Sequence, residues 1–273
     1  MRFLRSLLLV ALLTTALLSA ASVDGIRINS SVSGKGPTVI LVHGWTCDQS
    51  TWDAQVPALA ANYRVITLDL PGHGKSGAPK DGKFSMNLFA RAVEAVRKDT
   101  KADRVVLVGH SMGTPVIVQY ARLYPQHVAA LVFVDGVVSI PRDGSGNVPN
   151  PQAMAGPNGP EAREQLIRTM FSQSTTPDMQ KRILNMMLAA PEATATGAMA
   201  ATFDPAIWKD DVLAMPILGL YAHHSGLANH EYMKTHFPAM EYIEIPGTGH
   251  FLMIEKSREF NDLLLAFLAK QRF

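Results

Sequence analysis

Arg104-Val105-Val106-Leu107-Val108-Gly109-His110-Ser111-Met112-Gly113 is the stretch whose reading decides the fold. Its apolar, β-branched run reads as a buried strand, and the residues from Pro115 to Leu123 carry the spacing of a helix. A serine therefore stands where a strand turns abruptly into a helix, inside the pattern Gly-x-Ser-x-Gly of a nucleophile elbow. A turn this tight strains the backbone and brings neighbouring chains close, so side chains at the glycine positions would obstruct it. The serine hydroxyl is left projecting, ready for attack.

Similar strands lie on either side of this stretch. Thr38 to Val42 runs into His43-Gly44-Trp45, and Tyr63 to Leu68 runs into Asp69-Leu70-Pro71-Gly72-His73-Gly74. Val128 to Val134, Pro216 to Tyr221 and Glu241 to Ile245 complete the set, the last entering Pro246-Gly247-Thr248-Gly249-His250. Helical patterns such as Asn87 to Thr100 separate them, and alternation from Val23 to Ser33 predicts a short antiparallel pair that opens the sheet. Strands alternating with helices imply an α/β fold, its mainly parallel sheet covered by helices on both faces. Reactive side chains then collect at the C-terminal strand ends. Between Asp135 and Pro216 the rhythm breaks. Residues 141–160 are dense in Pro, Gly and Asn, and Glu161 to Phe171, Pro177 to Ala190 and Glu192 to Phe203 read as short helices. Met170, Met179, Met186, Met187 and Met199 in this region either fill its own interior or line a pocket.

These segments, in this order, resemble the α/β-hydrolase superfamily along nearly the whole chain after its N-terminal segment. The resemblance implies a helical cap inserted after the sixth strand, over residues 137–210, and lying above the reactive serine. It also implies a nucleophile, an acid and a histidine in that chain order, with no cofactor.

At 273 residues and 47% apolar composition the chain is long enough for one large α/β domain, 22–273. Residues 1–21 read as a secretory signal peptide: Arg2 and Arg5 are followed by an apolar run from Ser6 to Leu18, and Ser19-Ala20-Ala21 offers a cleavage site. The expected location is secreted or periplasmic, without stable membrane association once the signal is removed. Cleavage leaves 23 of the 25 basic residues against 23 acids, so no net charge draws the mature chain to nucleic acid or anionic membrane. The one cysteine, Cys47, forms no internal disulfide and reads as a small buried hydrophobe. Asn29-Ser30-Ser31 fits a glycosylation acceptor.

Serine is a weak nucleophile at neutral pH, so it needs a base, an acid that orients the base, and donors for the developing oxyanion. His250 is the candidate base, because the glycine-rich turn after the last strand lets an imidazole reach across to Ser111. His43, His73 and His110 sit in turns or in the elbow and do not fit that position. His223, His224, His230 and His236 cluster locally, but without the His-x-x-x-His spacing that places two ligands on one helical face, so no metal is expected.

The acid departs from the commoner family pattern, which places an aspartate after the strand matching Pro216 to Ala222. Here the chain reads His223-His224-Ser225-Gly226, with Ser225 at the acid's position. Asp135, at the C-terminal tip of Val128 to Val134, is the candidate instead, and haloalkane dehalogenases resemble this chain in drawing the acid from that strand end. Glu231 and Asp204 remain alternatives. Asp210 and Asp211 precede their strand and lie at its wrong end, while Asp69 belongs to a turn. By resemblance, the backbone amides of Trp45 and Met112 form the oxyanion hole.

The resemblance thus implies a carboxylesterase-like serine hydrolase that takes a small-molecule ester through an acyl-enzyme. Perhydrolase or cofactor-free haloperoxidase chemistry and C–C bond hydrolysis use similar residues, and a ligand-binding protein on a hydrolase scaffold is the non-enzymatic alternative. Serine at 111 argues against dehalogenase and epoxide hydrolase chemistry, for which the related families place an aspartate there.

Overall fold

The computed structural model describes residues 21–140 and 149–273. The expected signal segment up to residue 20 and the stretch 141–148 of the expected cap lie outside the described residues. A hairpin opens the chain, β1 (Ser22–Val23) against β2 (Ile26–Arg27), turned through Asp24 and Gly25 at positive φ. Ala21, at the expected cleavage point, is buried, and its carbonyl accepts from the Ile28 amide at 2.8 Å.

Seven further strands form one sheet. They are β3 (Ser30–Ser33), β4 (Thr38–Val42), β5 (Arg64–Leu68), β6 (Val105–His110), β7 (Val128–Val134), β8 (Ile217–Ala222) and β9 (Met240–Ile245). Their spatial order is β3-β5-β4-β6-β7-β8-β9, and every pair is parallel except β3 with β5. The expected antiparallel opening is therefore two features, a separate hairpin and an antiparallel edge strand. The break falls at Asn29, whose amide donates to Ser76 Oγ (2.8 Å) and whose carbonyl accepts from Asp69 N (2.9 Å).

β4, β6, β7 and β8 are buried at every residue, which is why they read as continuous apolar runs rather than alternating ones. Helices cover both faces. α1 (Gln55–Leu59) packs on α9 (Ser257–Leu268), while α2 (Met86–Asp99) packs on α3 (Gly113–Leu123). Between α2 and α3 lies a buried polar knot, in which Glu94 accepts from Arg97 Nε at 2.7 Å and from the Tyr120 hydroxyl at 2.7 Å.

Between β7 and β8 stand α4 (Gly159–Arg168), α5 (Pro177–Leu188) and α6 (Glu192–Thr202). α4 begins two residues before the expected Glu161, because proline is tolerated in the first helical turn and Gly159-Pro160 forms it. The opening segment makes three short strands where two were expected, so the strand before this insertion, Val128–Val134, is the seventh described strand rather than the sixth. α7 (His230–His236) joins β8 to β9, and α8 (Leu252–Glu255) precedes α9. No described helix is long and apolar enough to cross a membrane.

Candidate active site

Ser111 leaves the end of β6 with φ +54, a left-handed conformation that side chains disfavour. Its N–H donates to Val134 O on β7 (2.9 Å), and its carbonyl accepts from Thr114 N (3.0 Å) as α3 begins. Gly109 and Gly113 have no positive φ; their role is close approach. A side chain on Gly109 would overlap the Gly113 carbonyl, and one on Gly113 would overlap the Val42 carbonyl on β4. The strain sits on the serine itself.

Asp135 ends β7 with φ +41 and is almost fully buried. Its N–H donates to Leu220 O (2.8 Å), one carboxylate oxygen accepts from Ala222 N (3.0 Å), and the other lies 2.6 Å from His250 Nδ1. A carboxylate accepts only, so Nδ1 of His250 carries the proton of this bond, and Nε2 is the ring nitrogen not engaged by Asp135. His250 itself sits between β9 and α8. Its N–H donates to Met170 O in the insertion (3.1 Å), and its carbonyl accepts from His110 Nε2 (2.9 Å). Burial, and then the neighbouring His250, hold the His110 imidazole well below its ordinary range, so it is a neutral donor from the elbow.

Ser111, Met112, Trp45, Asp135 and His250 all line one cavity of about 560 Å³. The insertion adds Leu166, Met170, Met199 and Phe203 to its wall, making much of it apolar. Among the five methionines, Met170 and Met199 thus line the cavity, Met187 is buried away from it, and the Met186 sulfur accepts from Ser50 and Thr51 hydroxyls. The amides of Trp45 and Met112 meet no acceptor among the described residues. The Trp45 indole donates to Ala195 O on α6 at 2.7 Å, tying the loop after β4 to the insertion.

The remaining singled-out residues occupy other roles. His43 accepts from Leu70 N (3.0 Å) and donates to Gly44 O (2.8 Å), bracing the loop that carries Trp45; burial lowers its pKa. Burial, then the neighbouring His43, hold His73 down to about 3. Asp69 accepts from Asn29 Nδ2, Gln49 N and Lys75 N at 2.8–2.9 Å and organises a turn, which also occupies the nitrogen of the glycosylation-like Asn29. Glu231 stands exposed in the first turn of α7, Asp204 caps a short helical turn by accepting from Ala206 N (2.9 Å), and neither lines the cavity. Asp211 pairs with Arg122 (2.6 Å).

Ser225 lines the cavity, and its hydroxyl accepts from Leu227 N (3.3 Å). His223 pairs with Glu244 (2.6 Å) and lies tilted against His224, whereas His230 packs on Tyr242 and His236 on Tyr232. The four do not converge, and among the described residues no three His, Cys, Asp or Glu side chains are grouped to hold a metal. Cys47 is buried, and burial pushes its thiol up to about 12, which leaves it protonated and inert at neutral pH.

Two participants around His250, Thr175 and Glu255, are absent from the sequence reading, and Met170 enters it only by its side chain. Met170 acts through its carbonyl, which residue type does not reveal. Thr175 and Glu255 hydrogen-bond to each other, and Glu255 also accepts from Gly249 N at 2.5 Å. The one sequence signal is an acid in the helix directly after His250.

A family model described as alpha/beta hydrolase fold matches residues 37–257. The chain is 29% identical to the dihydrolipoyllysine-residue acetyltransferase component of the acetoin cleaving system of Pseudomonas putida, over 88% of this chain and 65% of that protein. It thus spans less than two thirds of that relative's length. It is 27% identical to the pimeloyl acyl-carrier-protein methyl ester esterase of Aeromonas hydrophila, over 86% of this chain and 96% of that one. Among solved structures it is similar to a thermophilic esterase from Thermogutta terrifontis, with TM-score 0.81 and 25% identity over 92% of this chain and 96% of that one.

Proposed function

The chain belongs to the alpha/beta hydrolase fold family, and from that premise we propose that it is a serine hydrolase cleaving carboxylic esters of small or apolar substrates. The observation that carries this reading is the buried 2.6 Å pair of Asp135 and His250, sharing one largely apolar cavity with a serine held at positive φ. The esterase relatives support an ester as the bond attacked.

Ser111 Oγ attacks the ester carbonyl carbon while His250 Nε2 takes the hydroxyl proton. Asp135 steadies the imidazolium through Nδ1. The carbonyl oxygen, now an oxyanion, accepts from the Trp45 and Met112 amides, each such donor contributing about 3–4 kcal/mol of transition-state stabilisation. Collapse expels the alcohol, which receives the proton from His250. Water, deprotonated by the same imidazole, then attacks the acyl-enzyme, and collapse releases the acid as the imidazolium returns the proton to Ser111 Oγ. The basic, apolar N-terminal segment supports export, which N-terminal sequencing of the protein recovered outside the cytoplasm would check.

The testing experiment is hydrolysis of p-nitrophenyl esters, from acetate to long acyl chains, by purified protein beside Ser111→Ala. Turnover that falls by about 10³-fold or more in the variant is the expected result. Undiminished turnover in the variant, or none from the folded wild type, overturns the reading.

A further inference from the structure

We infer that Glu255 is a positioning residue that joins the α4–α6 insertion to the loop carrying His250, so that the base is correctly placed only while the insertion is docked. The inference rests on the hydrolase reading above. Three hydrogen bonds cross this junction, and a fourth ties Glu255 to the loop itself. Glu255 accepts from Gly249 N with one carboxylate oxygen (2.5 Å) and from the Thr175 hydroxyl with the other. Ser174 Oγ donates to Gly247 O (2.5 Å), and His250 N donates to Met170 O (3.1 Å).

Direction is fixed along the chain of donors. The Thr175 hydroxyl is buried and already accepts from Ser172 N (2.8 Å), so its own proton is committed to Glu255. Hydrogen bonds to an ionised acceptor are about twice as strong as neutral ones, which makes the carboxylate the firmest link of the four. Packing supplies a second observation. A side chain at Gly249 would stand 2.8 Å from Met170 O and 3.0 Å from Ser172, so the peptide before His250 lies flush against the insertion. The segment 170–175 also contributes Met170 and Ser172 to the cavity wall. One short stretch therefore both lines the cavity and meets the backbone of the base. A displacement of about 1 Å at a reacting group can cost about 100-fold in rate.

The test compares wild type with Glu255→Ala, Thr175→Val and Thr175→Ser. Two rates are read for each: turnover of the best p-nitrophenyl ester, and covalent labelling of Ser111 by a fluorophosphonate, which needs an activated serine but no particular ester. Glu255→Ala and Thr175→Val are expected to lower kcat and the labelling rate together by about 10- to 100-fold, with KM within about twofold. Thr175→Ser, which keeps the hydroxyl, is expected to stay within about twofold of wild type. The double variant should be no slower than Glu255→Ala alone, because both changes cut one link. Should Glu255→Ala fail to fold, the nearly isosteric Thr175→Val carries the comparison. Wild-type rates in a folded Thr175→Val, even with a lowered melting temperature, overturn the inference and leave the hydrolase reading standing. A wild type that neither labels nor turns over any ester overturns the hydrolase reading, and this inference with it.

Discussion

Ser111 and Asp135 both hold positive φ, +54 and +41, at the ends of the adjacent strands β6 and β7. Each such conformation costs on the order of 1–3 kcal/mol and persists only because the surroundings impose it. For Ser111 the imposing groups are the Val134 carbonyl and the glycine contacts, and for Asp135 they are the Leu220 and Ala222 backbones. Asp135→Asn is expected to lower kcat by about 10³- to 10⁴-fold with circular dichroism unchanged, because an amide no longer fixes the proton on Nδ1 of His250. Near-normal turnover would remove Asp135 from the mechanism. Gly113→Ala should cost about 1–3 kcal/mol or more by driving a methyl group into the Val42 carbonyl, read as a lowered urea midpoint. At this scale the sequence was informative where a residue acts by its type in a recognisable turn. Ser111 and His250 stand in glycine-rich motifs, and Asp135 stood out because Ser225 occupies the usual position of the acid. The role of the Met170 carbonyl was invisible, because a backbone carbonyl has no residue type.

Among the elements, α2 and α3 are joined by more than apolar contact. The Tyr120 hydroxyl and the Arg97 guanidinium both reach the Glu94 carboxylate; burial acts to raise its pKa, but these hydrogen bonds hold it below the ordinary value. Tyr120→Phe leaves the ring in place and removes one donor from a buried charge, so a loss of about 1–3 kcal/mol in urea unfolding is expected, with esterase kinetics nearly unchanged. A loss under a few tenths would show that Arg97 and Lys98 satisfy Glu94 without the tyrosine. Elements were legible wherever burial on both faces leaves an unbroken apolar run, as in β4, β6, β7 and β8. β3 was only partly legible. Ser30-Ser31-Val32-Ser33 is an edge strand, with Val32 47% exposed, so no apolar run marks it and its partner β5 lies far along the chain.

Taken as a whole, the molecule encloses His43, His73 and His110 as well as His250, and burial is the leading cause that lowers the pKa of His43, His73 and His110 below the ordinary 6.5. Unfolded, these side chains take up protons near pH 6.5; folded, they do so only at lower pH, near 3 for His73. The unfolded state therefore binds more protons as pH falls below about 6.5, and stability declines there by up to about 1.4 kcal/mol per pH unit for each imidazole. Urea midpoints taken at pH 7.5, 6.0 and 5.0 should fall in that order, and His73→Gln should flatten the decline. An acid limb that His73→Gln leaves unchanged would assign the loss to other groups. The strand order bears on time as well as space. Ser111 and Asp135 come from neighbouring strands near the middle of the sheet, whereas His250 follows β9 at its edge, the last strand along the chain. Under the proposed mechanism, a chain that emerges from the ribosome N-terminus first carries its nucleophile long before its base, and stays chemically silent toward its surroundings until the final strand arrives.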